Sequence, residues 1–209
     1  MKVIGIVCSP RKKGNTEILI SRALDGAREA GAEETEMICL AGKNINPCDG
    51  CESCTKKGKC RIDDDMQEIY PRLLEADGII FGSPVYFWGV TAQAKMVMDR
   101  CHCWMQAHRH LVRDRIDTSK LVKDKTIPWQ PLRNKAGGIV AVATKVGATQ
   151  VIQQLSNFFR VLRIIEAGSA IAYADKKGEV RKDEQGLREA WMVGRAVVRT
   201  IKLVKATES

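Results

Sequence analysis

Short runs of consecutive apolar residues alternate along this chain with longer stretches in which apolar positions recur every three or four residues. The run Val3-Ile4-Gly5-Ile6-Val7, within Lys2–Cys8, is too short for a helix and apolar at every position. That suits a strand buried on both faces. Thr16–Ala30 then places Ile18, Leu19, Ala23, Leu24 and Ala27 on one helical face, with Gly31 where a helix C-terminus favours it. The alternation continues with strands at Thr35–Leu40, Asp77–Gly82, Gly138–Ala143 and Ile164–Tyr173. Helices are predicted at Asp65–Glu75, from Thr91 to near Gln106, at Thr149–Leu162 and at Asp183–Val204. Asp183, and the run Asp63-Asp64-Asp65, read as N-caps of the helices that follow them. Five strands alternating with helices predict an α/β fold: a doubly wound, five-stranded parallel sheet. In the strand order 2-1-3-4-5, ligands bind beyond the carboxyl ends of the first and third strands. The loops that follow those two strands are the most unusual chemically, which favours this order.

Two segments break the alternation. Residues 41–62 are irregular and rich in cysteine, and residues 108–135 are basic, contain Pro128 and Pro131, and read as an insertion. The whole chain, 1–209, is expected to form one domain.

The loop after the first strand is Cys8-Ser9-Pro10-Arg11-Lys12-Lys13-Gly14-Asn15-Thr16. Ser9, Asn15 and Thr16 offer hydroxyl and amide donors, and Arg11 can close on a phosphate. Gly14 admits a ligand close to the backbone, and the helix beginning near Thr16 turns its positive end toward the loop. The segment matches neither a Walker loop nor G-x-G-x-x-G, so a monophosphate fits better than a pyrophosphate. A plain polar helix cap is the competing reading. After the third strand comes Ser83-Pro84-Val85-Tyr86-Phe87-Trp88-Gly89, three consecutive aromatics in a chain that is only 5% aromatic. Such surfaces suit a planar, partly apolar ring, or a subunit contact.

Cys48, Cys51, Cys54 and Cys60 have the spacing C-x2-C-x2-C-x5-C. Three thiolates at successive x2 intervals, with a fourth close behind, match iron–sulfur ligation. Structural zinc more often pairs two separated C-x-x-C knuckles, and disulfides or unmetallated thiols are the remaining readings. Lys56, Lys57, Lys59 and Arg61 surround the loop, and positive charge there favours a reduced cluster. Cys8 and Cys39 read as core thiols. Cys101 and Cys103 lie beside His102, His108 and His110; two apart on a helix, the cysteines would face different sides, so structural or interface roles are expected. No Ser/His/Asp set and no paired carboxylates suggest hydrolytic chemistry.

The formal charge of +9 is scattered and lacks a nucleic-acid recognition motif, so no nucleic-acid partner is expected. An acidic electron carrier would be steered by such a charge. No apolar run reaches membrane-spanning length and no signal peptide is seen, which predicts a cytoplasmic protein without membrane association.

Taken together, C-S-P-R-K-K-G-N-T, C-x2-C-x2-C-x5-C and G-S-P-V-Y-F-W-G resemble the iron–sulfur flavoprotein family, within the NADPH-dependent FMN reductase-like, flavodoxin-fold proteins. The resemblance covers residues 1–107 well and the rest loosely. It implies FMN and one [4Fe–4S] cluster per subunit in a homodimer or homotetramer, and electron transfer between a ferredoxin-like carrier and an acceptor. Carried over by position, Ser9, Arg11, Asn15 and Thr16 match the phosphate motif, and Pro84, Val85, Tyr86, Phe87, Trp88 and Gly89 the ring motif. Cys48, Cys51, Cys54 and Cys60 match the cluster ligands, and Thr144, Lys145 and Gly147 correspond more loosely to a third flavin loop. The alternatives are an NAD(P)H-dependent FMN or quinone reductase without a cluster, and a zinc-stabilised binding module.

Overall fold

A computed structural model of the chain describes residues 1–54, 58–105 and 130–208. Its strands are β1 (Lys2–Val7), β2 (Glu34–Cys39), β3 (Gly78–Pro84), β4 (Ala136–Ala143) and β5 (Ile165–Tyr173), and its helices are α1 (Asn15–Glu29), α2 (Met66–Glu75), α3 (Ala92–Arg100), α4 (Ala148–Leu162) and α5 (Glu184–Glu208). The strands are all parallel and lie in the order β2-β1-β3-β4-β5. The predicted flavodoxin-like sheet is therefore the one observed.

The strands separate two cores because successive side chains alternate faces. Ile4, Ile6, Ile79, Phe81, Ile139 and Ala141 face α2, α3 and α4, where Met66, Ile69, Val97, Leu155 and Phe159 are buried. Val3, Val7, Ile80, Val140 and Val142 point the other way, onto Leu19, Ile20, Ala23, Val193 and Val197 of α1 and α5. The central strands are buried throughout and β2 and β5 are the edges, which is why the inner strands lack a polar alternation in sequence.

Several boundaries differ from the predicted ones. β4 starts at Ala136, two residues early, because a register shift at Gly137/Gly138 extends its pairing with β5. α3 stops at Arg100, and Trp104 N–H bonds back to Cys101 O in a tighter turn. This break buries both Cys101 and Cys103, where an unbroken helix would have turned them to different sides. Asp183 does cap α5, accepting from Gly186 N–H at 2.9 Å. At α2, Asp65 occupies the cap position without a side-chain capping bond, and it is Asp64 that accepts from Met66 N–H. Of the predicted insertion, residues 108–129 lie outside the described residues, and 130–135 form a turn leading into β4.

α1 and α5 approach so closely that a methyl group at Gly194 would collide with the Ala23 carbonyl, and one at Gly26 with the Trp191 carbonyl. Backbone cannot yield as a flexible side chain does. Gly194→Ala should therefore lower stability by ~1–3 kcal/mol, read as a shift in urea midpoint. Gly168→Ala, whose added methyl would meet only Val193 at 4.0 Å, should stay within ~0.5 kcal/mol of wild type.

Candidate functional site

The strand order reverses between β1 and β3, so the loops leaving their carboxyl ends stand side by side. Cys8 N–H donates to Gly82 O at 2.8 Å, and Thr91 Oγ1 donates to Cys8 O. The same Thr91 oxygen accepts from Ala94 N–H and so caps α3, while Thr91 N–H donates to the buried Ser83 Oγ. Thr91 thus fixes both loops to one helix start.

In the first loop Arg11 N–H bonds Ser9 Oγ at 3.1 Å, and Lys13, in the left-handed region at φ 52°, donates its N–H to Glu17. Arg11 is exposed, and Ser9 and Thr16 are buried. The Thr16 hydroxyl is shielded from solvent and has no hydrogen-bond partner. A buried hydroxyl without a partner is costly, and one at a helix start beneath a basic loop is suited to an anionic oxygen. Asn15 behaves differently from its predicted part. Its amide donates to Lys176 O and accepts from Val180 N–H, tying the loop to the segment after β5.

The second loop closes as a tight reverse turn. Tyr86 and Gly89 exchange backbone hydrogen bonds at 2.9 and 3.0 Å, with Phe87 at φ 46° and Trp88 at φ 61° between them. Two successive left-handed residues make a type I′ turn, which normally selects glycine or asparagine. Bulky aromatics there cost roughly 1–3 kcal/mol each, and such strain is characteristic of ligand clamps. Phe87 is 98% exposed and Trp88 57%. Pro84 ends β3, and Val85 N–H donates to Val142 O, joining the loop to β4. Gln154 of α4 supports the far side by accepting from Val90 N–H. Thr144 and Lys145 are exposed, whereas Gly147 is buried at φ +92°, where a methyl would stand 2.6 Å from Val85 Cγ1 and 3.5 Å from Trp88 Cα. The third loop is thereby pressed against the second.

The cysteine segment forms a separate site. Cys48, Cys51, Cys54 and Cys60 all border one cavity of about 110 Å³, completed by Arg61, by Asp99 and Arg100 of α3, and by Cys103. No disulfide joins any of the eight cysteines of the chain. Among the described residues, no three Cys, His, Asp or Glu side chains converge as a ligand set for a metal ion. The thiols are electrostatically within reach of one another: burial raises the Cys54 pKa first, and the charges of Cys60, Cys48 and Cys51 raise it further. Hydrogen bonds from Ser53 and then Arg61 lower that of Cys51. Burial pushes Cys103 up to about 12, so it stays a neutral thiol in the cavity wall. Of the expected cationic rim, Lys56 and Lys57 lie outside the described residues, and Arg61 is paired with Asp49.

The residues that organise this cavity went unnoticed in the sequence. Arg100 is 1% exposed. It pairs with Asp64 through two contacts of 2.6 and 3.1 Å, and both side chains are fully shielded. It also donates to Asn46 O at 2.9 Å and Ile62 O at 3.2 Å. These carbonyls stand on either side of the cysteine run. Asp64 further accepts from Asn46 N–H, and Asp65 from Asn44 N–H. One buried ion pair therefore closes the base of the loop. The Asp63-Asp64-Asp65 run was the available signal, and its reading as a simple helix cap concealed it.

The model of the family NADPH-dependent FMN reductase matches residues 1–179. An iron–sulfur flavoprotein of Methanocaldococcus jannaschii is 42% identical over 98% of this chain and 100% of its own length. Among solved structures, a flavone reductase superposes with a TM-score of 0.76 at 20% identity over 98% of this chain, which spans 64% of that protein. A WrbA-like flavodoxin from Agrobacterium tumefaciens gives 0.55 at 13% identity, over 98% of this chain and 97% of its own. Fold and family together define a flavin-dependent oxidoreductase whose cofactor is FMN. More narrowly, the chain belongs to the iron–sulfur flavoproteins within the NADPH-dependent FMN reductase family.

Burial alone would raise the Asp64 pKa, but the Arg100 guanidinium and the N–H groups of Asn46 and Met66 outweigh it and hold the carboxyl below the usual carboxylate range. A pKa lowered on folding gives stability that is full above the unfolded value of about 3.9 and lost as pH falls through the lowered one. The wild-type urea midpoint should therefore drop as pH falls below about 4. Asp64→Asn, less stable at neutral pH, should lose part of that drop; equal acid slopes would show that the carboxyl is not held low.

Proposed function

We propose that the crevice between the first three strand-end loops holds FMN. Ser9, Arg11, Asn15 and Thr16 take its phosphate, and Pro84, Val85, Tyr86, Phe87, Trp88 and Gly89, with Thr144, Lys145 and Gly147, take its ring. The unpartnered Thr16 hydroxyl and the strained, exposed Phe87-Trp88 turn support this reading. Asn15 serves from its backbone and by anchoring the segment after β5, since its side chain is already engaged.

We further propose that Cys48, Cys51, Cys54 and Cys60 ligate a [4Fe–4S] cluster. The observation that carries this is that all four border one cavity. Its volume is several times the ~10–15 Å³ that one water requires by the same measure, which suits a polynuclear group better than one zinc ion. The name of the M. jannaschii relative agrees with it. When bound, the flavin handles electron pairs and the cluster single electrons. The chain's part is to orient the two groups, hold the thiolates and keep the loop closed. Electrons pass between a one-electron, ferredoxin-like acidic carrier and an acceptor, and the net charge of +9 supports an acidic partner. The active form is a homodimer or homotetramer in the cytoplasm. Among the described residues no helix is long and apolar enough to cross a membrane.

A second reading, an NAD(P)H-dependent FMN or quinone reductase without a cluster, is favoured by the family description. Anaerobic titration separates the two. Reduction by ferredoxin with stoichiometric iron supports the first, and rapid flavin bleaching by NADPH in iron-free protein supports the second.

Thr16→Val should weaken FMN binding ~10–100-fold, the loss of a hydrogen bond to a charged group, as read by fluorescence titration of apoprotein; unchanged affinity would remove Thr16 from the phosphate site. Cys51→Ala should lose iron, sulfide and the broad visible absorption of the cluster while retaining flavin. Full iron and sulfide in that variant would contradict the ligand assignment.

A further inference from the structure

The Arg100 guanidinium has five N–H donors. Those on its two terminal nitrogens are directed to Asp64, Asn46 O and Ile62 O. The fifth, on Nε, is buried without a hydrogen-bond partner. A buried, charged N–H left unpaired costs more than a neutral one. Arg100 also forms part of the wall of the cavity bordered by Cys48, Cys51, Cys54 and Cys60.

We propose that Arg100 is the residue that sets the reduction potential of the group in the cysteine cavity, through its Nε–H donated to a sulfur there and through its buried positive charge. The inference rests on the cluster reading above. The potential of an iron–sulfur cluster responds to net charge and to hydrogen bonds on its sulfurs. A cation shielded from water acts at low dielectric, whereas the exposed, Asp49-paired Arg61 is screened. Arg100 thereby joins two duties: its terminal nitrogens close the loop, and its remaining donor is left for what the loop encloses. Asp64 has the opposite electrostatic effect, since its negative charge offsets part of the field of Arg100.

The test measures the cluster midpoint potential of the anaerobic holoprotein for the wild type, Arg100→Gln, Arg100→Lys and Asp64→Asn, beside iron content and apoprotein urea midpoints. All three variants loosen the same loop, so a purely structural role predicts midpoint potentials that are unchanged or move in the same direction. Tuning predicts opposite directions. Arg100→Gln should lower the potential by at least a tenfold change in the redox equilibrium, about 59 mV for one electron. Asp64→Asn should raise it. Arg100→Lys, which keeps the charge, should fall between wild type and Arg100→Gln, and its displacement from wild type is read in place of that of Arg100→Gln if the latter loses iron. Shifts of the same sign, no shift in iron-replete protein, or loss of iron from all three variants would overturn the proposal. Iron-free wild type would instead overturn the cluster reading on which it rests.

Discussion

A buried ion pair governs the cysteine-bearing segment of this molecule. The segment 41–62 carries no apolar periodicity in its sequence, and the four site cysteines are at best half-buried. The order of the segment comes from its base, where Arg100 and Asp64 gather the backbone on both sides of the cysteine run. Removing one member of such a pair strands the other's charge and typically costs ~3–5 kcal/mol, whereas replacing both by apolar groups can be neutral. The pair is therefore better understood as a device that specifies one loop geometry than as a source of stability. Anchoring it to the last residue of α3 makes the loop answer to the main core, because Tyr70 of α2 donates to the Arg100 carbonyl and stacks edgewise on Trp104.

The same helix connects the two sites. Thr91 caps its first turn and fixes the loops at the strand switch, while Arg100 ends it at the cysteine cavity. Nine residues of helix span about 14 Å at 1.5 Å per residue. The crevice and the cavity are thus separate chemical environments, one built on strand ends with strained aromatics and the other on thiols around a buried cation, yet each is positioned by an end of α3.

Much of this was readable from the residues. The sheet order followed from apolar runs alternating with amphipathic stretches, and from the placement of two unusual loops after the first and third strands, because a parallel sheet leaves few alternatives. The cysteine spacing was legible because ligation by one loop demands close intervals. The Arg100–Asp64 pair was not, since an arginine in an amphipathic helix ordinarily lies in water, and only tertiary contact reveals that this one is buried. The same holds for Asn15, whose side-chain amide suggested a ligand but donates to Lys176 O and accepts from Val180 N–H, and for Gln154, which reaches the ring loop from 64 positions along the chain. The end of α3 is not legible because the apolar pattern continues through Cys101–Trp104, although the backbone tightens into a turn at Cys101 and His102 before helical residues resume at Cys103.

The central claim is that one chain carries a flavin in the strand crevice and an iron–sulfur cluster in the cysteine loop. Its most direct test is the visible spectrum of protein purified without air, together with quantitation of iron, acid-labile sulfide and FMN. The account predicts a coloured protein with iron and sulfide in the amounts one [4Fe–4S] cluster per chain requires, and one FMN. A colourless protein, or one holding zinc in place of iron and sulfide, would contradict it.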